Sequence, residues 1–316
     1  SRRLNQIQNI SMARSLNNSV KLIILLLILV SVYSYSIDYL HFDTEQVVKL
    51  KETERQNIKI LFVGDIMLDR GVSWYADKNG KDRIFSGVKD LFSKYDIVVG
   101  NLEGTITNNE SVARKNNKIL RFTFDTSYSI LNLANNHAQD FSIDGYNQTI
   151  DNLNNVDIKS FGSPRNETNL SLLFNKNGKD LCFVGYHDLF TFNESPIIEE
   201  IIKLKNECDF ITVFTHWGDE YKTKSNPRQQ KLAHEFIDSG ADLVIGTHPH
   251  VVQEIEDYMG KRIFYSLGNF VFDQDFSVNT KNGNAIGVDI SDTDIKYEII
   301  PISIDEGRVY ITSEQV

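Results

Sequence analysis

Six times along this chain an apolar run ends abruptly in a small polar cluster: Val63-Gly64-Asp65, Gly100-Asn101-Leu102-Glu103, Asn135-Asn136-His137, Thr215-His216-Trp217-Gly218, Gly246-Thr247-His248-Pro249-His250 and Ser266-Leu267-Gly268-Asn269. Short apolar runs bounded by turn residues read as buried strands. Folds built from such strands collect ligand-binding groups in the loops at strand carboxyl ends. Here the loops carry Asp, Glu, Asn and four His, nitrogen and oxygen donors suited to Mn, Zn or Fe. The pattern predicts a site for one or two divalent ions, with Asp65, Glu103, Asn136, His216, His248 and His250 as candidate ligands.

Between these exits the pattern alternates. Strands are expected over 58–63, 97–100, 130–133, 181–185, 210–214, 243–245, 263–265 and 270–272. Ile197, Ile198, Ile201, Ile202 and Leu204 lie on one face of a helix over 197–207. A second helix opens with Asn226 as N-cap and Pro227 in its first turn and closes at Gly240. Alternating elements of this kind argue a layered α/β domain. Near the end, Ile286–Ile290, Ile295–Ile304 and Val309–Ile311 read as antiparallel strands, so a mixed, sandwich-like sheet is expected rather than a purely parallel one.

The amino terminus has a different character. Arg2, Arg3, Arg14 and Lys21 precede an uncharged stretch over 22–37, with acidic residues from Asp38 onward. This order predicts a basic cytoplasmic tail over 1–21, a transmembrane signal anchor over 22–38 and a charged stalk over 39–57. The main domain over 58–316 then lies outside the cell membrane. Residues 1–21 hold four of the 33 basic side chains and none of the 43 acidic ones, so the remainder carries a net charge of −14. That balance argues against nucleic acid as a partner. Of the two cysteines, Cys182 lies in an apolar strand pattern, and two buried thiols are expected rather than a bridge. No phosphate-binding G-x-x-x-x-G-K-[ST], dinucleotide-binding G-x-G-x-x-G or nucleophile-elbow G-x-S-x-G motif occurs.

Each candidate side chain has a chemical rationale. Two His at i, i+2 on a Pro-stiffened loop aim imidazoles at adjacent metals. Glu103 is placed to bridge two cations. His137, beside the weaker donor Asn136, is free to act as a general acid. Arg70 offers a guanidinium clamp for a phosphate or carboxylate. Asn269 is placed to orient a ligand His or bound water. Trp217 reads equally as pocket wall or core.

Taken in order, Gly64-Asp65 with Arg70, Asn101-Leu102-Glu103, Leu133-Ala134-Asn135-Asn136-His137, His216-Trp217-Gly218, Gly246-Thr247-His248-Pro249-His250-Val251 and Tyr265-Ser266-Leu267-Gly268-Asn269-Phe270 resemble the CapA family. Those are capsule biosynthesis proteins within the calcineurin-like metallophosphoesterase superfamily, and the resemblance runs from about Ile58 to Pro301. It implies a β-sandwich flanked by helices with a two-metal centre at one sheet edge. It also implies work on poly-γ-glutamate or a related envelope polymer, together with other capsule-synthase subunits at the membrane. By superfamily analogy Glu103, Asn136, His216 and His248 form one metal half-site, and Asp65, Glu103 and His250 the other. The chain departs from the superfamily at Met67, where Asp-x-His would place a further ligand. Only Asp125–Ser129 separates the 122–124 segment from the next strand, a shortening expected to weaken packing beside Asn136 and His137. The implied activities are a metal-dependent hydrolase, a non-catalytic metal-stabilised subunit of a synthase–export complex, or a plain phosphoesterase.

Overall fold

The computed structural model of the chain describes residues 29–34, 57–107, 129–189 and 193–313. It separates into two units, 1–55 and 56–316. In the first, residues 29–34 are helical and solvent-exposed. The remainder of the expected anchor, and the stalk to residue 56, lie outside the described residues, as does the shortened segment up to 128. Among the described residues no helix is long and apolar enough to cross a membrane.

The second unit holds two mixed sheets. The first has strand order β14-β13-β12-β1-β2-β3-β4, with β11 also pairing to β1. Its members are β1 (Ile58–Ile66), β2 (Ile97–Leu102), β3 (Ser129–Asn132), β4 (Lys159–Phe161), β11 (Asn269–Val271), β12 (Asn282–Ile290), β13 (Ile295–Asp305) and β14 (Arg308–Ile311). The second has order β5-β6-β7-β8-β10-β9. It comprises β5 (Ser171–Lys176), β6 (Lys179–His187), β7 (Phe210–His216), β8 (Leu243–Thr247), β9 (Ile255–Tyr258) and β10 (Lys261–Phe264). Strands β1 to β4 run parallel, as do β6, β7, β8 and β10. The closing strands β12 to β14 are antiparallel, as expected.

Three apolar layers explain why the strand runs are continuous rather than alternating. Ile60 and Phe62 of β1 face Phe183, Phe214 and Ile245 of the second sheet, forming the core between the sheets. Leu61 and Val63, one residue out of phase, face a layer with Val72, Ala76, Tyr146 and Leu153 from helices Arg70–Asn79 and Ser142–Asn154. Val184 and Val213 face Ile197 and Ile201 of helix Ser195–Leu204, and Leu232 and Phe236 of helix Pro227–Ser239. Period-two alternation thus places apolar residues on both faces. The result is the helix-flanked β-sandwich. Phe62 contacts rings from both Phe183 and Phe214, and Phe62→Ala would cost about 3–5 kcal/mol.

Local chemistry sets the element ends. Asn226 accepts from Gln229 N–H and Gln229 Oε1 accepts from Asn226 N–H, a complete capping box, with Pro227 in the first turn. Gly240 closes that helix at φ 127°. Two glycines permit strand exits to touch. A Cβ on Gly64 would lie 1.9 Å from Gly268 O, and one on Gly246 would lie 2.0 Å from Tyr265 O.

One expectation is corrected. Cys182 and Cys208 form a disulfide, with Cα atoms 6.0 Å apart, rather than two thiols. Cys182 lies on the helix-facing side of β6, and Cys208 enters the same layer just before the neighbouring strand β7. Sheet pairing brings together two residues that the sequence separates by 26 positions.

Candidate metal centre

The parallel strands of both sheets carry their exits to one place. Asp65 ends β1 and Glu103 follows β2; Asn136 and His137 follow β3; His216 ends β7, and His248 and His250 follow β8. Asp65, Glu103 and His216 are fully buried, and His248 and His250 nearly so.

Asn101 is the hub that joins the two sheets. Its Oδ1 accepts from Asn132 Nδ2 (3.1 Å) and Asn135 Nδ2 (3.2 Å). Its Nδ2 donates to Asp65 Oδ1 (2.7 Å) and lies 3.0 Å from His216 Nδ1. Thr247 Oγ1 also lies 3.2 Å from His216 Nδ1. That ring nitrogen is therefore engaged on the protein side, and Nε2 faces Asn136 Oδ1 at 2.7 Å. His250 is oriented similarly. Asn269 Nδ2 donates to Thr280 O, so its Oδ1 is turned to accept from His250 Nδ1 at 2.9 Å. The other nitrogen, Nε2, lies 3.8 Å from Glu103 Oε1. At His250 the accepting Asn269 oxygen fixes the tautomer that leaves Nε2 free, an arrangement typical of ligand histidines.

The backbone of the His loop is held in an unfavourable conformation. His248 has φ 94° and His250 φ 58°, both in the left-handed region. His248 N–H donates to Asp65 Oδ2 at 3.1 Å, and strain of this kind is retained where surrounding contacts over-determine it.

Glu103 carries the clearest signal. Neither of its oxygens, both buried, has a hydrogen-bond partner, and neither does His248 Nδ1. A buried, unpaired carboxylate is costly unless a cation or proton accompanies it. Burial pushes Glu103 well above the carboxylate range, although His250 pulls it down and Asp65 adds to the rise. Burial and the neighbouring His250 hold His248 down, at about 4. Burial, then His248, holds His216 well below the imidazole range. Burial also opposes protonation of His250, but Glu103 and Asp65 override it and raise His250 to about 9. Ligating atoms of Asp65, Glu103 and His250 lie within 4.8 Å of one another, and so do those of Glu220, His248 and His250. These residues fit a divalent ion: acceptors converge in a buried pocket, and both Glu103 oxygens lack a hydrogen-bond donor, with only His250 and His137 nearby at 3.8 and 3.6 Å.

The remaining candidates fall in distinct places. His137 is half-buried, with Nδ1 2.9 Å from Asp140 Oδ2 and Nε2 3.6 Å from Glu103 Oε1. Arg70 is exposed, with φ 58°, and exerts its charge on Glu103. Trp217 is fully buried in the helix-facing layer of the second sheet, its Nε1 donating to Tyr265 O at 2.9 Å. Met67 is buried in the opposite layer.

Sequence reasoning missed several participants. Glu220 lies in the loop that leaves β7, two residues beyond the Thr215–Gly218 cluster, where the adjacent Asp219-Glu220 pair reads as ordinary solvated charge. Asp140 had one, its i+3 spacing from His137. His187, in none of the six clusters, is buried with its ring 5.9 Å from His216 and Nδ1 2.7 Å from Pro164 O.

Residues 59–274 match the family model described as Bacterial capsule synthesis protein PGA_cap. The capsule biosynthesis protein CapA of Bacillus anthracis is 32% identical over 295 residues, covering 84% of this chain and 72% of the relative. The PGA biosynthesis protein CapA of Bacillus subtilis (strain 168) is 32% identical over 284 residues, covering 82% and 74%. A crystal structure of a phosphatase from Mycoplasma pneumoniae aligns with a TM-score of 0.50 at 18% identity, covering 79% of this chain and 94% of that one. The structural likeness bears on the fold alone, an α/β arrangement with mixed sheets. By family model and by identity over most of its length, the chain belongs to the bacterial capsule synthesis proteins of the PGA_cap family, alongside the CapA proteins.

Proposed function

We propose that this chain is a membrane-anchored, extracytoplasmic, metal-dependent hydrolase acting on poly-γ-glutamate or a related envelope polymer during capsule synthesis and export. The observation that carries the reading is the buried Glu103 carboxylate, without a hydrogen-bond partner and clustered with Asp65 and His250. Glu103, Asn136, His216 and His248 would hold one ion, and Asp65, Glu103 and His250 a second. When bound, such ions supply Lewis-acid charge to a phosphoryl or amide oxygen and make water more acidic.

The chain's own residues do the rest. Asp140 holds the Nδ1 side of His137, leaving Nε2 to deliver a proton to a leaving group. Arg70 holds an anionic substituent of the polymer. Asn101 and Asn269 keep the ligand imidazoles in register and spend no motion on it. The Cys182–Cys208 bridge supports an oxidising compartment for the domain, and the names of the two CapA relatives support the polymer.

Two measurements test the reading. Purified full chain should contain a tightly held transition metal by elemental analysis and should shorten poly-γ-glutamate in a size-exclusion assay. Protease added to intact cells should digest the domain and spare the amino-terminal tail. A metal-free protein with no action on the polymer, or a protected domain, would overturn it. The second reading, a metal-stabilised but non-catalytic subunit, draws on Met67 standing where a further ligand is expected; polymer output that survives His137→Ala would favour it.

A further inference from the structure

We propose that Glu220 is a ligand of the metal centre and supplies the donor that Met67 cannot. The inference rests on the metal-dependent reading above and extends it to a residue outside all six strand-exit clusters.

One half-site has four candidate donors in Glu103, Asn136, His216 and His248. The other has three, Asp65, Glu103 and His250, because Met67 turns into the core, 2% exposed, and its thioether is a poor ligand for hard or borderline divalent ions. The depleted half needs one further donor. Glu220 offers a carboxylate within 4.8 Å of ligating atoms of both His248 and His250. It also bears electrostatically on Glu103, so it belongs to the same pocket.

The loop carrying Glu220 is built against the His loop. Tyr221 N–H donates to Pro249 O at 2.8 Å, between the two histidines. Tyr221 has φ 62°, a conformation an ordinary residue rarely adopts. Its ring lies 6.1 Å from that of His250 and packs edge-on against Phe276. Gln274 links this loop back to the site: its Nε2 donates to Tyr221 Oη at 3.3 Å and its Oε1 accepts from Asn269 Nδ2, the residue that orients His250. The neighbouring carboxylate, Asp219, is spent elsewhere, accepting from Asn226 Nδ2 at 2.9 Å. The buried, unpartnered Glu103 oxygens and His248 Nδ1 supply independent evidence that a cation belongs here.

The substitution changes the chemistry of the depleted half. Through His250, common to both clusters, Glu220 would add its carboxylate to Asp65 and Glu103. Three carboxylates against one nitrogen favour Mn or another hard ion over Zn. Because Glu220 is exposed while its partners are buried, this ligand closes the solvent side of the centre.

The test is manganese titration of the metal-free full chain, followed by electron paramagnetic resonance and elemental analysis, with Glu220→Gln, Asp219→Asn and wild type in parallel. Wild type should take up two ions, the second giving the exchange-coupled signal of a manganese pair. Glu220→Gln should keep the first ion, weaken the second by about 10–100-fold and lose the coupled signal. Asp219→Asn should match wild type. Equal second-ion affinity in wild type and Glu220→Gln, equal weakening in Asp219→Asn, or uptake of a single ion by wild type would each overturn the assignment of Glu220. Wild type that binds no ion at all would overturn the metal-dependent reading as well, so the two failures are told apart.

Discussion

Replacing Glu103 with Gln should invert the stability order of wild type and variant, depending on whether metal is present. In the metal-free protein the carboxylate is buried with both oxygens unpartnered, a situation that costs about 1–3 kcal/mol. Its pKa is raised well above 4.5, chiefly by burial, with attraction to His250 working the other way. A carboxyl group raised in the folded state favours folding at low pH and penalises it as pH climbs through the folded value. Above that value the isosteric amide removes the penalty and forfeits the attraction to His250. The net gain should be about 1 kcal/mol, a rise in Tm of about 2–4 °C for a domain of this size. With metal the order reverses. A ligand at a hundredfold excess over its Kd stabilises wild type by about 2.7 kcal/mol, and the variant should capture little of this. Differential scanning calorimetry in EDTA and in excess manganese reads both states. A variant less stable than wild type in EDTA, yet gaining as much from manganese, would refute the argument, because Glu103 would then be a packing residue and not a cation's partner.

Other consequences follow from the same geometry. His137→Ala should keep fold and metal and lose about 10²–10⁴-fold in polymer hydrolysis, the usual worth of a positioned proton donor; unchanged turnover in a metal-loaded variant would remove His137 from the chemistry. His250 is held up at about 9 without metal, so at pH 7 a proton must leave before an ion binds, and affinity should climb with pH until about 9. Calorimetric titration in two buffers of different ionisation heat should therefore show net proton release at pH 7, and none would contradict the assignment of His250. The Cys182–Cys208 bridge closes a loop of 26 residues, worth about 3.5 kcal/mol in the chain-entropy account. Reduction should accordingly lower Tm, and a linked peptide pair should appear in non-reducing mass spectrometry.

What was legible in the sequence was the punctuation of the strands. Asp65, His216 and the His248–His250 pair stand immediately after apolar runs, so strand ends and donors are read together. The helix from Pro227 was equally open, since Asn226, Pro227, Gln229 and Gly240 state its boundaries locally. Contacts made only by the folded chain were not legible. Asn101 joins Asp65, Asn132, Asn135 and His216 across two sheets, yet in sequence it is one more amide after a strand. Cys208 follows Lys205-Asn206-Glu207 and looks solvated, which hides its approach to Cys182. Helix Ser142–Asn154 carries few apolar residues, and β5 and β9 are half-exposed, so weak periodicity left them unread. Trp217 was undecided because burial of an aromatic depends on what covers it.

Met67 shows how the site and the core compete for one position. Asp65 leaves β1 toward the ligands, and two residues later Met67 N–H donates to Val271 O. The Met67 side chain then joins the layer containing Val271 and Phe272. The ring of Phe272 packs 4.7 Å from that of His250, so this layer is the wall on which a ligand rests. A thioether at that point fills the wall and leaves coordination to others, which predicts a separation of effects. Met67→Leu conserves volume and apolar character and should cost less than about 1.5 kcal/mol. It should leave metal content and second-ion affinity unchanged, while Glu220→Gln changes them without disturbing the core. Elemental analysis of the Met67→Leu chain beside its melting curve decides the point. Loss of one ion from a Met67→Leu protein that still melts as wild type would make the thioether a ligand and remove the need for Glu220.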